Sequence, residues 1–296
     1  MSNKKFIPEL FKISPKQSFQ LKDFDPDYCD GFKDEKEAKK QLKKDIKLMS
    51  KLQYKLYAEN KKSLLIVFQA MDAAGKDGAI KHIFSGVNPQ GCQVHSFKQP
   101  SSNELQHDYL WRHYKKLPER GRIGIFNRSH YENVLITKVH PEFILNENLP
   151  EIKSVSDIND NFWDKRYQQI NNFEKSISEN GTTILKFFLN VSKKEQKNRF
   201  LERIENEEKN WKFSSSDMKE REFWNDYQKA YEHAIKKTST EIAPWYVIPA
   251  NNKWFTRVAI GKIVVDTLIN MNCKVPEISD DERSELKKAK KLLNKE

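Results

Sequence analysis

Cysteine is scarce in this 296-residue chain: Cys29, Cys92 and Cys273 stand far apart, odd in number and with no C-x-x-C pair. That pattern signals neither a disulfide framework nor a zinc site. Long apolar runs are missing too, and none approaches the ~18 residues that a membrane-spanning helix needs. The opening MSNKKFIPELFK lacks the apolar segment of a leader. No internal repeat, low-complexity linker or recognisable DNA- or RNA-binding module is visible. These absences set the expectation of a protein with no membrane partner in a reducing compartment, most simply the cytoplasm.

What is abundant is charge. Lys+Arg number 53 against 42 Asp+Glu, a net +11, and charged residues make up 32% of the chain. The cationic excess favours a polyanionic partner: nucleic acid, an anionic membrane, or a phosphate-rich small substrate. The length allows one large α/β domain or two small ones with a proper core.

The chain is organised around Ser63–Lys81, SLLIVFQAMDAAGKDGAIK. Ser63 to Phe68 reads as a strand buried on both faces, Gln69 to Gly78 as a small-residue loop, and Ala79 onward as a helix. Strand, loop, Gly-Lys and helix together make a phosphate-cradling P-loop. Small residues let backbone N–H groups turn toward phosphate, the helix N-terminus adds positive partial charge, and Lys76 supplies an ammonium. Two positions depart from G-x-x-x-x-G-K-[ST]. Ala70 replaces the first Gly, and Asp77 stands where Ser or Thr would hold Mg²⁺. With Asp72 inside the loop, Asp77 reads as half of a carboxylate pair for Mg²⁺ or for positioning the phosphoryl acceptor. The alternative for both is helix capping.

Around this unit, Met1 to Gly31 reads as an irregular aromatic arm and Asp34 to Asn60 as a long helix whose lysines line a solvated face. Strands are expected at Gln93–Phe97, Arg122–Asn127, Thr182–Asn190 and Trp245–Pro249. Helices are expected at Asn103–Lys116, Asn161–Glu179 and Lys253–Met271, with a charged helical segment from Ser192 to Lys237 broken at Phe213–Ser216. Alternating strands and helices predict an α/β fold: one parallel sheet, helices on both faces, and a helical lid. The expected divisions are an arm over 1–33, a P-loop kinase-like domain over 34–280 with its lid near 192–237, and a Lys-rich tail over 281–296.

A second constellation gathers at the end of the strand Arg122–Asn127, where open α/β sheets place ligands. Arg122, Arg128 and Glu132 are expected to cluster there, Arg128 neutralising charge on a phosphoryl group in flight. Glu132 is either part of that site or a first-turn helix acid, and His130 reads as a packed side chain. In the lid, Arg199 and Arg203 share a face one turn apart, as a phosphate clamp would. Trp211, Phe213 and Trp224 read either as base-stacking residues or as core.

Four ordered stretches then carry a resemblance: QAMDAAGKDGAIK (Gln69–Lys81), IGIFNRSHYENVL (Ile123–Leu135), FLERIENEEKNWKFSSSD (Phe200–Asp217) and APWYVIPANNKWFTR (Ala243–Arg257). Together they resemble the polyphosphate kinase 2 family over roughly Asp34 to Met271. The resemblance implies a P-loop kinase that moves the terminal phosphate of inorganic polyphosphate to a nucleotide. It also implies Mg²⁺, with Mn²⁺ as a substitute, a basic tunnel for the phosphate chain, and a homodimer or homotetramer. Adenine nucleotides are the expected acceptors, with guanine nucleotides as an extension. The implied catalytic residues are Asp72, Lys76, Arg128 and Glu132, with Asp72 and Asp77 toward the metal. Ala73, Ala74, Gly75, Gly78, Lys81, Arg122, Asn133, Arg199 and Arg203 complete the implied binding set. Asn127 in the Asn-Arg-Ser-His-Tyr-Glu stretch resembles the class III branch, which the family links to phosphorylation of both AMP and ADP.

Overall fold

The run Ser63–Gln69 (β2) is wholly buried, because apolar side chains on both faces of a strand need cover on both sides. In the computed structural model, which describes residues 6–15 and 18–295, this strand lies at the middle of a six-stranded sheet. The other strands are Lys12–Ile13 (β1), Cys92–Ser96 (β3), Ile123–Asn127 (β4), Thr182–Asn190 (β5) and Trp245–Pro249 (β6), in the order β1-β6-β5-β2-β4-β3. β2 pairs in parallel with β4 and β5, β3 with β4, and β5 with β6. The registers Phe68↔Asn127 and Ser96↔Asn127 bring the carboxyl ends of β2, β3 and β4 into line. From β2 the chain moves out to β3 on one side, whereas β5 and β6 build the other, so the switch point lies at the carboxyl end of β2.

The sheet is not wholly parallel, which corrects one expectation. The arm contributes β1, which pairs antiparallel with β6 and covers backbone groups that an edge strand leaves open. The arm's aromatics are explained by Phe255, whose ring is approached by Phe6, Phe11, Tyr28 and Phe32 at 5.9–6.3 Å between centroids. The beginning of the predicted arm (residues 1–5), with residues 16–17, lies outside the described residues, as does Glu296.

Helix α1 (Glu35–Glu59) begins at Asp34, whose carboxylate accepts from the Glu37 amide at 2.8 Å, and ends at Asn60 in the left-handed region. α2 (Lys76–Ile83) follows the P-loop. The helix expected over 103–116 is two short ones, α3 (Ser102–Leu105) and α4 (Trp111–Tyr114). Between them the Asp108 carboxylate accepts from the Leu110 amide at 2.8 Å, a side-chain bond that competes with helix continuation. After α5 (Ile136–Val139) and α6 (Asp160–Glu179) comes the charged segment: α7 (Lys193–Glu205), a 3₁₀ turn over Glu207–Lys212, α8 (Ser215–Glu220), a second 3₁₀ turn over Arg221–Phe223, and α9 (Trp224–Thr238). An extra break falls at Asn206, whose side chain accepts from the Glu208 amide at 3.0 Å. α9 buries Trp224, Tyr227, Ala230, Tyr231, Ala234 and Ile235, so it belongs to the body. The lid-like part is therefore residues 193–223, shorter than expected. α10 (Lys253–Asn270) packs against α1 and α2 on one face of the sheet, while α6 and α9 pack together on the other. α11 (Asp280–Leu293) buries nothing. No described helix is long and apolar enough to cross a membrane.

A buried ionic cluster lies beneath β4 and β5. The Lys186 ammonium donates to Glu174 Oε2 at 2.6 Å, the Thr238 carbonyl at 2.7 Å and the Tyr131 hydroxyl at 2.9 Å. Tyr131 donates to Glu174 Oε1 at 2.8 Å, and His130 Nε2 lies 3.3 Å from the same oxygen. Burial opposes charge on Glu174, but Lys186 and His130 outweigh it and hold the carboxyl below its ordinary range. His130 is thus a packed, hydrogen-bonded residue, as its isolation in sequence suggested.

Candidate active site

The loop after β2 owes its shape to two left-handed positions, Ala73 (φ 59°) and Gly75 (φ 104°). A nest of this kind turns successive backbone N–H groups inward, and α2 starts directly behind it. Ala70 has no positive φ, so the departure from glycine there costs nothing. Its carbonyl instead accepts from the Lys76 ammonium at 2.7 Å, with Met71 O at 3.4 Å. Lys76 is 9% exposed. Burial and the nearby Arg128 lower its pKa, against the opposing pull of Asp72, Glu132 and Asp77.

Asp72 accepts from Arg128 Nη2 at 2.8 Å, and Asp77 accepts from Asn127 Nδ2 at 2.6 Å. Arg128, immediately after β4, is itself in the left-handed region at φ 61°. A non-glycine residue there is worth explaining; here the turn directs the guanidinium across the cleft to Asp72. Burial opposes its charge, but Glu132 and Asp72 overcome that and its pKa stands above the ordinary value. Glu132 sits in the 3₁₀ turn His130–Val134. Burial raises its pKa, and the neighbouring Arg128 and Lys76 only partly offset this. The sheet thus gathers Asp72, Lys76, Asp77, Arg128 and Glu132 at one end.

Two predicted site residues, Arg122 and Lys81, go elsewhere, Asn133 faces only one of the two cavities described below, and Arg199 changes role. Arg122 lies at the amino end of β4, about 20 Å of strand away from Arg128, where it pairs with Glu119 and donates to the Gln90 carbonyl. Lys81 is exposed on α2 and lines no part of the cavities described below. Asn133 donates to the His130 carbonyl at 3.2 Å and lines only the second of them. Arg199 is 5% exposed, and its donors are spent on the protein. Nη1 bonds Ala74 O at 2.6 Å and Ala73 O at 3.2 Å; Nη2 bonds Ala250 O at 2.6 Å and Asn251 O at 2.9 Å; Nε bonds Glu195 at 2.8 Å. A guanidinium has five N–H groups, so Arg199 ties the P-loop to the end of β6 instead of clamping phosphate. Gln196 on the same helix donates to Asp72 O at 2.9 Å. Arg203 is held by Asp217 at 3.4 Å.

Two cavities meet over this end of the sheet. The first, about 540 Å³, is walled by Asp72–Ala79, the end of β3, the lid and the start of α10. Nine Lys and Arg side chains line it against four acids. Lys98, Lys209, Lys212, Lys253 and Arg257 were not singled out from sequence, nor was the role of Asp217; they come from three distant segments and only the fold unites them. Trp211, 78% exposed, also lines this cavity, whereas Trp224 is core. The second cavity, about 450 Å³, has Met71, Phe143, Tyr227 and Tyr231 in its wall beside Glu104, Arg112, Glu132, Asn146 and Glu147. Asp72, Phe97, Lys98, Arg128 and Asp217 line both.

Asp72 and Asp77 are the loop carboxylates available to a hard cation. No group of three or more His, Cys, Asp or Glu among the described residues is placed to hold a metal ion. Mg²⁺ uses one or two carboxylates together with substrate phosphates and water, so an oxygen donor pair beside a phosphate nest fits it.

Comparison with known proteins agrees with this geometry. Residues 32–276 match the family Polyphosphate kinase 2 (PPK2). The ADP-polyphosphate phosphotransferase of Rhodopseudomonas palustris is 50% identical over 247 residues, 83% of this chain and 84% of that protein. The AMP/ADP-polyphosphate phosphotransferase of Meiothermus ruber is 45% identical over 268 residues, 90% of this chain and 95% of that one. The crystal structure of polyphosphate kinase 2 from Arthrobacter aurescens TC1 superposes with a TM-score of 0.85 at 38% identity, covering 97% of this chain and 98% of that one. With a phosphate nest, a cation-lined cavity and a family match across most of its length, this chain belongs to the polyphosphate kinase 2 family.

Proposed function

We propose that this enzyme transfers the terminal phosphate of inorganic polyphosphate to AMP and ADP, in an Mg²⁺-dependent reaction. The observation that carries the reading is the shared wall: a cation-lined cavity and a more apolar one meet at the Asp72–Arg128 ion pair. The phosphate chain belongs in the first and the nucleotide in the second, with the transferred group crossing between them. The names of the Rhodopseudomonas and Meiothermus relatives support both substrates.

Phosphoryl transfer through a loose transition state asks for positioning and charge neutralisation more than for covalent chemistry. The loop amides between Ala73 and Lys76 hold phosphate oxygens. Lys76 exchanges the Ala70 carbonyl for the transferred phosphate, and Arg128 does the same from Asp72. Arg203, Lys209, Lys212 and Lys253 hold the rest of the chain. Glu132 faces the acceptor cavity from the far side of Arg128. Mg²⁺, when bound, supplies a Lewis acid and neutralises charge shared by the two substrates; Asp72 and Asp77 are the residues that would hold it. Mn²⁺ as a substitute, guanine acceptors, and a homodimer or homotetramer belong to the same reading.

The test mixes the protein with Mg²⁺, polyphosphate and either AMP or ADP, then separates the products. ADP followed by ATP from AMP, only when polyphosphate is present, is the expected result. ATP consumption without polyphosphate would instead identify an ATP-dependent kinase on this fold. Conversion of ADP with AMP left untouched would overturn the dual-acceptor part alone.

A further inference from the structure

α1 carries eight lysines against four acids over its 25 residues, and the activity above uses none of them. Lys36, Lys40, Lys43, Lys47 and Lys51 recur at intervals of three and four, so they form one stripe about 22 Å long. All five are exposed. They lie opposite the face that buries Ala38, Met49 and Leu56 against the body. Among the described residues none of the five forms an ion pair; it is their neighbour Lys39 that is paired, with Glu35 at 2.8 Å.

The amino end of the stripe lies at the end of the molecule that holds the cation-lined cavity. α1 packs along α10, and two contacts fix the relative direction. Leu42 abuts Gly261, where a Cβ would lie 3.0 Å from the leucine methyl. At the other end the Glu59 carboxylate accepts from the Lys274 amide at 3.2 Å. The two helices therefore run parallel, and the first turn of α1 lies beside the first turn of α10. That turn of α10 supplies Lys253, Thr256 and Arg257 to the first cavity. Burial lowers the pKa of Arg257, and Glu35 at the start of α1 is close enough to offset this in part.

We propose that the α1 stripe is a second binding track for the polyanion, holding the distal part of a long polyphosphate chain whose end lies in the first cavity. The inference rests on polyphosphate being the phosphate donor. Unpaired lysines in a row repel one another, and a linear polyanion relieves that repulsion while releasing its own counterions, as on nucleic acid. The track gives length selectivity without touching the reacting centre: a long chain reaches both cavity and stripe, a short one only the cavity.

The test is a fourfold variant with Lys40→Gln, Lys43→Gln, Lys47→Gln and Lys51→Gln, which keeps helix propensity, beside the matching Lys→Arg variant. Binding of labelled long-chain polyphosphate is followed by fluorescence anisotropy over a salt series without nucleotide, and tripolyphosphate is assayed as a competitor of the reaction. With up to ~0.7 in the log–log salt slope per lost contact, the Gln variant should bind the long chain about tenfold more weakly at low salt with a shallower slope. Its kcat with ADP and its inhibition by tripolyphosphate should stay within about twofold of wild type, and the Arg variant should bind as wild type does. Unchanged long-chain affinity and slope would overturn the proposal. Equal weakening for tripolyphosphate, or an altered oligomeric state by light scattering, would overturn it too. A wild type that forms no ATP from ADP and polyphosphate refutes the donor assignment first and separately.

Discussion

Replacing Arg199 with lysine separates two roles that a buried arginine near phosphate can play. The charge survives in Arg199→Lys, but the planar fork does not. An ammonium has three N–H groups at one point, and the four carbonyls at Ala73, Ala74, Ala250 and Asn251 lie on two different segments. At least two carbonyls lose their partner, and each unsatisfied buried group costs about 1–3 kcal/mol, so the fold should lose about 2–6 kcal/mol. For a chain of this size that is roughly a 3–10 °C fall in Tm. A looser P-loop misplaces the nest, so kcat should fall at least about tenfold while the KM for polyphosphate changes little. Urea unfolding and steady-state kinetics with polyphosphate as the varied substrate give both readouts. Wild-type stability together with a strongly raised KM would show that Arg199 binds phosphate directly, and the stapling argument would fail.

Lys76→Met removes the ammonium that faces the transferred phosphate; turnover should drop about 10²-fold or more, and a folded variant within a few-fold of wild type would take Lys76 out of the mechanism. Glu132→Gln should slow the AMP reaction at least about tenfold by removing the carboxylate beside Arg128, and product analysis showing normal AMP phosphorylation would discard that role. Lys186→Met leaves Glu174 buried without its cation, at a cost of about 3–5 kcal/mol near neutral pH. In the wild type the Glu174 pKa is held below its unfolded value, so its stabilisation is present above that value and lost as pH falls through the folded one. In the variant that pKa moves up instead, so the stability gap between the two proteins should widen from pH 5 to pH 8; denaturation midpoints giving a constant gap would contradict the coupling.

The central strand and P-loop were legible because a continuous apolar run and a small-residue loop each have one local explanation. Asp72, Lys76 and Arg128 followed from the rule that ligands lie at carboxyl ends of parallel strands. Arg122 was misplaced against the same rule: it precedes β4, so strand direction alone puts it at the opposite end. Arg199 could not be read correctly, since α7 periodicity gives a face but not the carbonyls that face meets. The helix over 103–116 had the right apolar spacing, and one side-chain bond from Asp108 was enough to interrupt it. β1 is two residues long, too short to leave a pattern. The lysines at 98, 209, 212 and 253 look like ordinary surface charge until three separate segments are folded over one loop.

The linings of the two cavities overlap at five residues and differ elsewhere. On the proposed assignment, an acceptor occupies and leaves a space the donor does not fill. A chain that stays bound and advances after each transfer would then charge successive nucleotides, shortening by a unit each time. Such processivity would show in the product distribution: early in the reaction, a few chains much shortened and most still at full length.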